Sequence, residues 1–139
     1  MTFAEFVALL QEERIRYVEL RAVDLFGRLR GLMIPAEAFS EEMIKEGVGV
    51  DGVHYGLAQT EESDWVLLPD LDAVYLDPLR DPPAAIVLCD LGRPGEGPSP
   101  LSPRNVARAA LRFLRDAGIA QDAKFSVELE FYLFEEIQV

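Results

Sequence analysis

Lys124-Phe125-Ser126-Val127-Glu128-Leu129-Glu130-Phe131-Tyr132-Leu133-Phe134 alternates. Phe125, Val127, Leu129, Phe131 and Leu133 fall on one parity, and Ser126, Glu128, Glu130 and Tyr132 on the other. Period-two alternation in a β-branched and aromatic run predicts a β-strand with one face in a core. On the second face Glu128 and Glu130 stand roughly 6.5–7 Å apart along the strand. Carboxylates at that separation suit hard divalent cations, each holding its own ion or both sharing a metal pair. A solvated strand face has the same spacing. Tyr132 and Phe134 on that face give it the carboxylate–aromatic mixture of a lined cavity.

Upstream, Ser102-Pro103 predicts a helix start, with Ser at the N-cap and Pro at the first helical position. The helix is expected to run to about Asp116 and to stop at Gly118. Val106, Ala110, Phe113 and Leu114 form its apolar stripe. Arg104, Arg108 and Arg112 repeat every four residues, a pattern of a solvated face or of a match for an acidic surface on another subunit. The segment before the helix is rich in proline and glycine and reads as a linker. The expected division is an N-terminal helix at 1–15, a sheet domain at 16–92, a linker at 93–102 and the opening of a second domain at 103–139.

Within the sheet domain, Arg16 to Asp24 and Arg28 to Pro35 alternate around a turn at Phe26-Gly27 and predict a hairpin. Thr2 and Glu5 form a capping-box pattern that opens an amphipathic helix to about Glu13. Pro35 predicts a second helix over Ala36 to Lys45, with Phe39, Met43 and Ile44 buried and Gly47 past its end. Trp65–Pro69, Ala73–Leu76 and Ala84–Asp90 read as strands. Cys89, the single cysteine, sits in the last of these and reads as a buried core thiol. Asp70, Asp72 and Asp77 lack the glycine and terminal glutamate of an EF-hand, so calcium binding is rejected. Gly47 to Gly56 is glycine-spaced and predicts a flexible loop around the isolated Asp51, since Asp-Gly favours turns. His54 in the same loop is a candidate functional residue or an exposed loop residue.

Composition narrows the function classes. Half of the 139 residues are hydrophobic and 27% are charged, enough for a packed core. The net charge of −12 disfavours nucleic acid and anionic membranes as partners. One histidine rules out a multi-histidine metal site within this chain. With no apolar run near about 18 residues and no leader pattern, the expected location is the cytoplasm.

Phe125-Ser-Val-Glu-Leu-Glu-Phe-Tyr-Leu-Phe134 resembles the start of the catalytic barrel of glutamine synthetases, whose pattern is Phe-Gly-x-Glu-x-Glu-Phe-x-x-Phe. Val23-Asp24-Leu25-Phe26-Gly27-Arg28-Leu29-Arg30, Gly49-Val50-Asp51-Gly52, Glu62-Ser63-Asp64 with Leu67-Leu68-Pro69-Asp70, and Asp77-Pro78 resemble that family's amino-terminal half, in the same order. The resemblance runs from about Val18 to Phe134. It implies an α+β fold: a β-grasp-like mixed sheet with flanking helices, followed by one helix and the first strand of an incomplete catalytic barrel.

The functional expectations follow from the same resemblance. The family is an ATP-dependent glutamate–ammonia ligase that works through γ-glutamyl phosphate. Glu128 and Glu130 are expected as ligands of Mg2+ or Mn2+, and ATP as a substrate of the full-length enzyme. Asp51 is expected as the residue that reaches a neighbouring subunit's site and assists the amine, with His54 beside it. The family's usual Asp-Gly-Ser-Ser-x-x-Gly stands here as Asp51-Gly52-Val53-His54-Tyr55-Gly56, one residue shorter and without the serines, which opens a γ-glutamyl-amine ligase as an alternative. Family chains are several times longer, and their other metal ligands and phosphate-binding residues lie beyond Val139, so this chain alone is expected to be inactive. Its expected partners are further copies of itself or a full-length synthetase, with glutamate, ammonia and ATP bound only in a complete enzyme. A non-catalytic interaction module, associating through exposed strand edges, is the alternative of a different class, and a small-ligand regulatory domain is a third.

Overall fold

A computed structural model describes residues 1–137. Gln138 and Val139, the last two positions of the expected second domain, lie outside the described residues. The capping box at the amino terminus forms as the sequence predicts. The Thr2 hydroxyl accepts the Glu5 N–H, and the Glu5 carboxylate accepts the Thr2 N–H at 2.7 Å. Helix α1 follows over Phe3–Glu12 and buries Phe6 and Leu10.

Strands β1 (Tyr17–Val23) and β2 (Leu29–Pro35) form the expected antiparallel hairpin, in register from Tyr17 opposite Pro35 to Val23 opposite Leu29. β1 also runs parallel to strand β5 (Ala84–Arg93), with Val18 opposite Ala85 and Leu20 opposite Val87. Strand β4 (Asp64–Asp77) lies antiparallel on the other side of β5. The short strand β3 (Val48–Asp51) closes that edge against β4. The order is β2-β1-β5-β4-β3, with the two-residue strand β6 (Gly97–Pro98) added beside β5. This is the mixed sheet of the expected α+β fold.

One face of the sheet carries the core. Val18 and Leu20 of β1, Leu67 of β4, and Val87, Cys89 and Leu91 of β5 are buried there under α1. Phe6 meets Phe39 edge-on, with ring centroids 5.2 Å apart at 72°. Such an aromatic pair adds to the area it removes from water.

Several expectations are corrected in detail. The helix expected over 36–45 is broken. Ala36–Ala38 is a single 3-10 turn. Phe39 is extended, so that its ring can enter the core. Ser40 then caps a new helix, α2 (Glu41–Glu46), by accepting the Met43 N–H. The two strands expected at 65–69 and 73–76 are halves of one strand, β4, whose register against β5 shifts between Pro69 and Val74. Proline offers no N–H to the ladder, and the intervening Asp70 carboxylate accepts the Asp72 N–H in a local turn. The loop expected at 47–56 is half ordered sheet, because β4 supplies a partner for Val48–Asp51.

Helix α3 (Pro103–Asp116) begins where the sequence places it, with Ser102 at the N-cap and Pro103 in the first turn, although the Ser102 hydroxyl makes no capping bond. Its orientation differs from an ordinary amphipathic helix. Val106 and Phe113 of the apolar stripe are exposed. Arg104 and Arg108 instead turn toward the sheet face opposite the core, where they meet Asp70 and Asp90 of the same chain.

The segment expected as a barrel strand is not a strand. Residues 124–137 carry no regular secondary structure, and Phe125 and Leu129 are 91% and 83% exposed. A strand's N–H and C=O groups need a neighbouring strand, and among the described residues none pairs with this one. Among the described residues, no helix is long and apolar enough to cross a membrane.

Candidate functional site

Asp51 closes β3, directly opposite Asp64 on β4. Two carboxylates in register across an antiparallel pair repel one another and make this corner of the sheet attractive to cations. The Asp51 side chain is exposed, and its Oδ1 accepts the Val53 N–H at 2.9 Å. That bond starts a 3-10 turn over Gly52–Tyr55, which Gly56 ends in the left-handed conformation at φ 74°. His54, on this turn, is exposed, while Tyr55 points into the core. The loop therefore presents Asp51 and His54 outward from a backbone that is anchored below.

Gly52 explains why the acid is followed by glycine. A Cβ there would lie 2.1 Å from Cδ1 of Trp65, so only glycine lets the turn sit on the indole. The Gly52 N–H donates to the Ser63 carbonyl at 2.8 Å, which ties the loop to the approach of β4. Trp65 is buried, and among the described residues its Nε1 has no hydrogen-bond partner. The Arg93 guanidinium lies 5.4 Å from the Trp65 ring centre and pairs with Glu62 at 2.9 Å.

The other expected site residues lie elsewhere. Glu128 and Glu130 are exposed on the irregular segment after α3. The structure does not bring them into a cluster with Asp51 or His54, and among the described residues no group of three or more His, Cys, Asp or Glu is placed to hold a metal ion. Carboxylate oxygens are the right donors for Mg2+ or Mn2+. Two of them on an exposed segment are fewer than an octahedral ion requires, so the residues described here do not by themselves fit the metal.

Two polar constellations escape a reading of the sequence. Asp24 is fully buried in the β1–β2 turn. Burial pulls its carboxyl upward. The N–H of Arg28, the Arg30 guanidinium and the N–H of Phe26 outweigh that and hold it below the ordinary carboxylate range. The signal was present as Asp-x-x-Gly after a strand, which marks a turn but does not reveal its burial. The second constellation is the four-membered network under α3. Asp70 accepts from Arg104 at 2.6 Å and from Arg108 at 2.9 Å; Asp90 accepts from Arg104 at 3.3 Å and also pairs with Arg108. For Asp70, burial again raises the pKa, and the bonds from Arg104 and from the Asp72 N–H lower it by more. The four-residue repeat of arginines was visible in the sequence, but the carboxylates it meets are on distant strands.

Cys89 is buried, as expected, and desolvation pushes its thiol up to about 12. At that value it is not a nucleophile at neutral pH.

Comparison with known proteins places this geometry. The family model for the glutamine synthetase β-grasp domain matches residues 14–94. The glutamine synthetase of Methylococcus capsulatus is 32% identical over 140 residues, covering 99% of this chain and 30% of its own length. That of Escherichia coli K12 is 34% identical over 141 residues, again 99% of this chain and 30% of the relative. This chain thus spans about 30% of the length of these relatives. Among solved structures, a glutamine synthetase of Plasmodium falciparum shares the fold with a TM-score of 0.73 at 18% identity, over 85% of this chain and 23% of that one. Ligand-free GmaS gives a TM-score of 0.69 at 25% identity, over 81% and 26% respectively. With the family model matched across 14–94 and identity above 30% along nearly the whole chain, the sheet, its hairpin and its Asp51 loop have one origin: the chain belongs to the glutamine synthetase family and carries its β-grasp domain.

Proposed function

We propose that this chain is the amino-terminal part of an ATP-dependent glutamate–ammonia ligase, and that it supplies the amine side of an active site completed by catalytic residues from outside it. The supporting observation is the Asp51 loop: an exposed carboxylate at a strand end, fixed by the Val53 N–H and opposite a second carboxylate, Asp64. In the reaction, the γ-carboxylate of glutamate takes the terminal phosphoryl group of ATP, releasing ADP. Ammonia then attacks the acyl carbon and phosphate leaves. An exposed carboxylate beside that carbon attracts ammonium and accepts its proton, leaving the neutral nucleophile. Asp51 is assigned this role, with His54 lining the same approach.

Glu128 and Glu130 are proposed as two donors to the divalent metal of the complete enzyme. Further donors from outside this chain are required. The assembly proposed is a homo-oligomer in which the Asp51 loop of one subunit meets the catalytic region of its neighbour. Alone, the chain is expected to be silent. The test is a coupled ADP-release assay with glutamate, ammonium, ATP and magnesium, run on the chain alone and with a synthetase catalytic region added in trans. Glutamate-dependent release only in the mixture supports the reading. Release by the chain alone would falsify the requirement for outside residues.

One observation favours a second reading of the substrate. Val53 and His54 stand where the family pattern has serines, and both are exposed. A loop with an apolar side chain and an imidazole in place of hydroxyls fits an alkylamine as well as ammonium. The same reconstituted assay with methylamine and ethylamine decides between a γ-glutamyl-amine ligase and a glutamine-forming one.

A further inference from the structure

We propose that Asp24 is a positioning residue for the loop bearing Asp51 and His54, acting through the tip of the β1–β2 hairpin. The inference rests on the reading of that loop as the amine side of the site. Asp24 is the fully buried carboxylate of the β1–β2 turn. Its Oδ1 accepts the N–H groups of Phe26 at 2.9 Å and Arg28 at 2.8 Å, and its Oδ2 accepts Arg30 Nε at 2.8 Å. Its own N–H donates to the Arg28 carbonyl at 2.9 Å, and its carbonyl accepts the Gly27 N–H at 3.1 Å. A connection between two strands does not need a buried charge, and burying one is costly unless it is fully bonded. Here the bonding is complete and converges on the tip of the hairpin.

The tip in turn grips the loop. The Leu25 N–H donates to the Tyr55 carbonyl at 3.1 Å. The Phe26 ring lies over Gly56, where a Cβ would come within 2.9 Å of ring atom Cε2. Phe26 is 70% exposed, so the core does not account for its placement, whereas its contact with the loop does. The loop is thus held at both ends, by the Gly52–Ser63 bond from the approach to β4 and by the Leu25–Tyr55 bond from the hairpin. Val53 and His54 lie on the stretch bracketed by these bonds, and Asp51, one residue before it at the end of β3, joins it through the Val53 N–H that its Oδ1 accepts. The direction of the Asp51 carboxylate therefore depends on a buried carboxylate that it does not touch.

Amide hydrogen exchange on the Asp24→Asn variant of this chain tests the coupling. Asparagine keeps the size and one acceptor oxygen but loses the charge facing Arg30. The amides of Leu25, Val53 and Leu57 are expected to exchange about tenfold faster, as for loss of one charge-assisted hydrogen bond in a locally opening unit. Val87 and Leu91, in the centre of the sheet, are expected to keep their protection. Unchanged exchange at Val53 and Leu57, or equal acceleration at Val87, overturns the proposal. Should Asp24→Asn fail to fold, Arg30→Gln carries the same test from a partly exposed side chain, with the same amides and the same two outcomes. In the reconstituted assay, Asp24→Asn is expected to raise KM for ammonium severalfold and leave KM for ATP unmoved, a split that general destabilisation does not give. An unmoved ammonium KM overturns the proposal. If the wild-type chain restores no turnover, the functional reading fails, while the exchange result still decides whether Asp24 holds the loop.

Discussion

The two faces of the sheet are covered by opposite means. On one face α1 lays Phe6 and Leu10 into an apolar core, with Phe39 edge-on against Phe6. On the other, α3 faces the sheet with Arg104 and Arg108, which grip Asp70 and Asp90, while Val106 and Phe113 point away. The first attachment draws on water exclusion, which titrates with no group and which salt screening does not weaken. The second draws on charge, which is sensitive to both. A helix held by its charged side leaves its apolar side free for a further layer of protein.

The largest effect that would sharpen this contrast is on the apolar side. Phe6→Ala is expected to cost about 3–5 kcal/mol, read as a lowered urea midpoint for the whole sheet. A loss confined to α1 would break the comparison. Next, the double variant Asp70→Asn with Asp90→Asn is expected to weaken α3 docking by about 1–3 kcal/mol. The readout is faster tryptic cleavage at Arg112 and Arg115, with the urea midpoint of the sheet nearly unmoved. If cleavage stays slow, α3 is not held by charge.

Acid acts in the same direction. Asp24 and Asp70 both have folded-state pKa values below the ordinary 3.8. The unfolded chain therefore takes up these protons first as pH falls. Their contribution to stability is complete above about pH 4 and is lost as pH drops through the depressed values. Circular dichroism from pH 6 to pH 2 should show the loss of stability beginning below about 4. A decline beginning near pH 6 would assign it to other groups. The smallest effect expected is that of salt. At about 1 M NaCl the α3 attachment should weaken by less than about 1 kcal/mol, seen as faster exchange of α3 amides, with the amides of β1 and β5 unchanged.

Legibility in the sequence followed the range of the forces. The capping box at Thr2 and Glu5 and the hairpin around Phe26-Gly27 are set by neighbours in the chain, and both formed as read. The helix expected at 36–45 broke because Phe39 has a partner in Phe6, more than thirty positions earlier. Val48–Asp51 became a strand because β4 offers an edge, which a glycine-rich sequence does not announce. The orientation of α3 was hidden for the same reason, since Asp70 and Asp90 reach it across the fold. At the candidate site, the order of the family's motifs marks Asp51 as a candidate, and its role is the one proposed above. The anchoring beneath it was not legible: the fit of Gly52 on Trp65 and the burial of Asp24 are properties of packing. The alternation at 125–133 describes a strand only when another strand lies beside it.

Cys89 gives the molecule an internal reporter. It lies mid-sheet on β5, and the native thiol is shut away from solvent and protonated. In the opened chain it reverts to an ordinary, reactive thiol. Where reclosing is faster than the reagent, the alkylation rate at neutral pH therefore records the fraction of time the centre of the sheet stands open. With a single cysteine in the chain, the growth of one singly modified mass with time reads that openness without any introduced label.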